Sequence, residues 1–134
     1  MRRASWAPAL FTAAAVYDGI LGALFLVAPG SVLARFGVPP PNHFGYVQFS
    51  AALLLIFAWM FADIARQPAE HRALIPYGVA MHLAYAGVVI WYWASSGLPD
   101  LWKPFAFFDL AWAGLFAMAY HALAARKVAW RPST

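Results

Sequence analysis

The chain lacks cysteine altogether and carries little charge: Asp, Glu, Lys and Arg make up 10% of its 134 residues. Without a thiol there is no cysteine nucleophile, disulfide relay, iron–sulfur ligation or thiolate zinc site. Glycine-rich phosphate loops are absent too. Ser50 and Thr12 lie near or within apolar runs but outside any nucleophile-elbow motif, so nucleophilic catalysis has no candidate. No His-x-x-x-His or Glu-x-x-His pair falls on an apolar run, and no metal site is expected. Bis-histidine haem is disfavoured because His121 falls about 9 Å short of the depth of His82, and His43 and His71 fall in connections. Beyond these, the sequence names no cofactor and leaves its identity open.

Basic residues exceed acidic ones, nine to five, giving a net charge of +4. They stand in ones and twos beside apolar runs, with no basic stripe for a phosphate backbone to follow, so nucleic acid is not an expected partner. Their placement is that of residues flanking a membrane.

What the chain has in abundance is apolar surface, 64% of its residues. The pattern predicts an all-α integral membrane bundle of four transmembrane helices in one domain, over residues 7–28, 44–64, 74–94 and 103–125. At about 1.5 Å per residue, some twenty residues match a hydrocarbon core of about 30 Å. Met1-Arg2-Arg3 before an apolar run imitates a secretory signal, but the run reaches Val27, beyond the usual h-region of about 7–15 residues, and reads as a retained first span. Pro29-Gly30 is expected to end it. The long connection that follows carries Val32, Leu33 and Phe36 beside Arg35 and predicts a short amphipathic helix in the interface. Asn42 is expected to cap the second span, and Asp100 the fourth. Asp63 and Arg66, three apart on one helical face, are expected to pair. Trp91-Tyr92-Trp93 reads as a headgroup-level aromatic anchor.

Arg2, Arg3, Arg66, Arg72, Arg126, Lys127 and Arg131 fall on one side of this topology, and Arg35 and Lys103 on the other. The positive-inside rule then places both termini in the cytoplasm, for a protein of a bacterial inner membrane.

Polar residues inside the spans are the candidate site. An ionised aspartate at mid-bilayer costs about 2.5–3.5 kcal/mol, so an intramembrane acid faces a partner, a cavity or another subunit. Asp18 and His82 each lie about ten residues into their spans, at a depth of roughly 15 Å. They are expected to form a hydrogen-bonded acid and imidazole. Asp109 about one turn further outward, and Gln48 nearer the outer face, extend the cluster, with Tyr17 and Tyr85 adjoining it. Ala14 and Gly22 flank Asp18 by one turn, and Gly78 and Ala86 flank His82, leaving room for a neighbouring helix or a ligand. The competing reading is that these groups only bond helix to helix, at about 0.6–2 kcal/mol each.

Tyr17-Asp18 followed by Leu24-Phe25 is echoed by Phe108-Asp109 followed by Leu115-Phe116 at the same spacing. With the four-span layout, Tyr17-Asp18-x-x-x-Gly22 and Phe108-Asp109-Leu110 resemble the small bacterial membrane proteins of the DoxX-like group. That resemblance implies the four-helix fold and, for some members, a role as subunit or partner of quinone-linked oxidoreductases; the lack of a cysteine pair excludes a thiol-handling version. The expected function is binding of a lipophilic small molecule, quinone- or lipid-like, or service as an accessory subunit beside a membrane protein partner or further copies of the chain. Two alternatives stand beside it: an enzyme using Asp18 and His82 as acid and base on a lipid, and a proton- or ion-translocating subunit of an oligomer.

Overall fold

The computed structural model describes residues 4–123, and among them there is no strand. Five α-helices follow in order: α1 (Ala7–Val27), α2 (Pro29–Arg35), α3 (Gly45–Arg66), α4 (Ile75–Ser95) and α5 (Lys103–Ala122). All but α2 are long and apolar enough to cross a membrane, so the chain is an all-α membrane protein with four spans. Predicted boundaries hold to within a few residues, except that Ala124 and Ala125, where the fourth was expected to end, lie outside the described residues. So do Arg2, Arg3, Arg126, Lys127 and Arg131. The topology puts Arg66 and Arg72 at one end of the bundle, called here the inner end, and Arg35 and Lys103 at the other.

Each long helix turns one stripe inward at spacings of three and four residues, with one seven-residue step on α3. On α1 it is Ala7, Phe11, Ala14, Asp18, Gly22 and Phe25; on α4 it is Ile75, Gly78, His82, Ala86 and Val89. That spacing follows from 3.6 residues per turn. The opposite faces carry large apolar side chains such as Ile20, Ile56, Trp59 and Val88, which in a membrane meet acyl chains.

The helices associate as two close pairs, α1 with α3 and α4 with α5. In the first pair Gly22 permits the approach: a Cβ there would stand 2.9 Å from the Ala51 carbonyl oxygen and 3.0 Å from the Leu55 side chain. Contact between the pairs runs through side chains. At the inner end Phe11, Phe61 and Phe116 interlock, with Phe116 centroids 4.7 Å and 4.9 Å from the other two. At the outer end Phe25, Leu33, Val38 and Ala51 form one apolar group, and Ala86, Val89 and Ala106 another.

Local chemistry sets the ends. Pro29 does more than stop α1, for it occupies the first turn of α2, where its missing N–H costs nothing. α2 is the short helix expected there; Leu33 is buried beneath it while Phe36 stays 61% exposed. Gly37 (φ +64) and Gly97 (φ +78) take the left-handed conformation that ends α2 and α4. Two expected caps are replaced. Where Asn42 was predicted to cap α3, the ring Nδ1 of His43 accepts the Gly45 N–H at 2.9 Å, because Asn42 sits two residues ahead of the N-cap position, Phe44. Asp100 opens a 3₁₀ turn (Asp100–Trp102) ahead of α5 and pairs with Lys103 instead. The Asp63–Arg66 pair forms as expected, at 3.2 Å.

Candidate functional site

Three ionisable side chains are buried in the bundle: Asp18 on α1, His82 on α4 and Asp109 on α5. Asp18 and His82 are each 1% exposed. They occupy a layer at mid-depth, bounded inward by the Phe11–Phe61–Phe116 core and outward by the two apolar groups around Phe25 and Ala86. All three stand on the inward stripes of their helices, so the same periodicity that packs the bundle delivers them to one another.

His82 finds a different partner from the one expected. Its Nδ1 stands 3.2 Å from Asp109 Oδ1, outside hydrogen-bond angles, and no hydrogen bond joins it to Asp18. The physical reason is the pairing of the helices: α4 packs along α5, whereas α1 packs along α3, so His82 meets Asp109 within its own pair and Asp18 only across the divide. The outward offset counted for Asp109 is closed by that packing.

The imidazole is walled by aromatic rings. Phe61 stacks on it at 5.9 Å, Trp112 at 6.3 Å, and Phe116 meets it edge-on at 5.3 Å. These walls were not anticipated. Trp112 lies three residues after Asp109 and Phe116 seven after it, so the helical spacing that places Asp109 inward also places them there. The room expected beside Gly78 is taken by the same rings, since a Cβ at Gly78 would come within 2.7 Å of Phe61 and 3.2 Å of Phe116. Ala86 likewise packs against apolar neighbours. Ala14 and Gly22 do admit a helix, and that helix is α3.

Tyr17, next to Asp18, lays its ring on Trp112 at 5.7 Å and against Phe108 at 6.4 Å, which carries α1 across to α5. Tyr85 donates its hydroxyl to the Trp102 carbonyl at 3.2 Å, on the outer side of the layer. Gln48 is not brought to the cluster: its amide donates to the Leu26 carbonyl at 3.0 Å, satisfying one of the open carbonyls at the end of α1. The echoed segments occupy matching positions, with Asp18 and Asp109 inward, Phe25 and Phe116 inward seven residues on, and Leu24 and Leu115 outward.

Four buried polar atoms of this layer have no hydrogen-bond partner in the described chain: Tyr17 Oη, Asp18 Oδ2, and both ring nitrogens of His82. In hydrocarbon an unpaired polar group costs several kcal/mol. Among the described residues no group of three or more His, Cys, Asp or Glu has the arrangement of a metal site.

The chain matches no family model, no curated protein and no solved structure, so its own geometry carries the functional argument.

Proposed function

We propose that this protein binds a lipophilic molecule with a small polar head, quinone- or lipid-like, whose head takes up the unpaired groups of Tyr17, Asp18 and His82 between the two helix pairs. The observation that supports this reading is the coincidence, at one depth, of four buried polar atoms without partners and a wall of aromatic rings. Apolar surroundings with a few convergent polar groups are the general composition of a small-molecule site. The head would offer hydrogen bonds where hydrocarbon offers none, and the rings would hold its flat or apolar part. The likeness to the DoxX-like group agrees with an accessory role beside a membrane oxidoreductase. Such a protein would sit in a bacterial inner membrane with both termini cytoplasmic, the side to which most of its Lys and Arg are assigned.

The test is retention. Protein purified from membranes in mild detergent is expected to carry a lipophilic compound detectable by native mass spectrometry, and Asp18→Ala and His82→Phe to lose it while keeping helical content. Absence of any retained compound after incubation with total lipid extract and with a short-chain ubiquinone analogue would refute the reading.

A second reading, acid–base chemistry on the bound lipid, draws on one contact. Asp109 Oδ1 lies 3.2 Å from Nδ1 of His82, which sets a carboxylate and an imidazole side by side where a proton could pass to a bound lipid. It requires a retained compound that changes mass over time, with Asp109→Asn and His82→Gln abolishing the change but not the retention.

A further inference from the structure

A second feature lies outside the polar layer, on the membrane-facing side of the α1–α3 pair. Thr12, Ala15 and Val16 of α1 and Ala58, Ala62 and Ala65 of α3 line an open groove of about 490 Å³, with Arg66 at its inner mouth. The groove is apolar in effect, because the one hydroxyl in its lining, Thr12 Oγ1, is spent on the Pro8 carbonyl at 2.8 Å. We propose that this groove seats one acyl chain of an anionic phospholipid, with the phosphate held by Arg66.

Length, position and charge argue for that occupant. From Ala58 to Arg66 the helix rises about 12 Å, close to the depth of a single leaflet, about 15 Å. Further outward the two helices are in contact at Gly22 and Ala51, leaving no space for a Cβ. A transmembrane helix would need a trough running the full thickness, whereas one acyl chain ends near the midplane. Arg66 is the last residue of α3, at headgroup level, and its side chain is 76% exposed. Asp63 takes one of its guanidinium nitrogens, Nη1, at 3.2 Å and leaves the rest of the fork for a phosphate. Asp63 is the acidic residue beside this mouth and opposes an anion, so the pair tunes the site in a direction that substitution reveals. Arg72, the other Lys or Arg at this end among the described residues, is occupied elsewhere, its Nε donating to the Tyr120 carbonyl at 2.7 Å and its guanidinium lying 3.6 Å over the Tyr120 ring.

The full-length protein, reconstituted in phosphatidylcholine bilayers, is titrated with spin-labelled phosphatidylglycerol and spin-labelled phosphatidylcholine of the same chain length. Phosphatidylglycerol is expected to be favoured by roughly fivefold, the contribution of one basic residue at a membrane surface. Arg66→Gln brings the ratio toward one, and Asp63→Asn raises it. Ala62→Phe, which fills the groove, removes the motionally restricted site for both lipids. Both Arg66 and Asp63 are at the surface, so their variants test the proposal even where Ala62→Phe disturbs folding. Equal retention of the two lipids, a preference unmoved by Arg66→Gln, or cross-linking of two copies through Ala62 would each overturn it.

Discussion

The contact between His82 and Asp109 allows the polar layer to be weighed. His82→Ala removes a ring that touches Phe61, Trp112 and Phe116 and leaves Asp109 without its partner. Truncation of a buried aromatic costs about 3–5 kcal/mol, and a loss in that range is expected here. His82→Phe keeps the ring and its stacking but deletes two nitrogens that make no hydrogen bond, so its cost reports the attraction to Asp109 alone and stays well below that of His82→Ala. Asp109→Leu removes the same attraction from the other side. If the two groups stabilise each other, the double variant His82→Phe/Asp109→Leu is less damaging than the sum of the singles by about 1 kcal/mol, within the range of polar pairs in membrane helices. Unfolding by SDS titration in mixed micelles, followed by circular dichroism, gives all four corners of the cycle. Additivity to within about 0.3–0.5 kcal/mol would show that the 3.2 Å approach carries no energetic coupling and would remove the pair from the site.

Three further outcomes follow from packing and bonding elsewhere. Gly22→Ala is expected to cost about 1–3 kcal/mol in the same unfolding assay, because its Cβ meets a backbone oxygen at 2.9 Å, while Gly87→Ala and Gly114→Ala, with nothing within 4 Å, gain up to about 1 kcal/mol of helix propensity. Gln48→Leu loses its bond to the Leu26 carbonyl and about 0.6–1.7 kcal/mol, yet leaves ligand retention unchanged because Gln48 stands apart from the polar layer. Arg72→Met removes the hydrogen bond to the Tyr120 carbonyl and the contact with its ring, and faster amide exchange is expected in the last turn of α5.

The spans, their connections and the candidate polar residues were legible in the chain because each depends on neighbours in sequence. A run of apolar residues long enough for a bilayer declares a helix, and one-turn spacing declares that Asp18 shares a face with Ala14 and Gly22, and His82 with Gly78 and Ala86. Misplaced caps at Asn42 and Asp100 show the limit of this reading even locally: each stands two residues ahead of the N-cap position, which leaves the Gly45 N–H to His43 and the cap of α5 unfilled.

Which helices pair, and how far each is shifted along its neighbour, was decided by tertiary structure. Those quantities arise from side chains far apart in sequence interdigitating, such as Gly22 against Ala51 and Phe11 against Phe116, and no local periodicity encodes them. A helix can slide or turn by one residue without altering its hydropathy, yet that motion exchanges the neighbour of a buried imidazole. The chain alone determined that an acid and a histidine lie inside the membrane. Only the packing of α4 on α5 determined that the acid beside His82 is Asp109, while Asp18 is buried on the other helix pair.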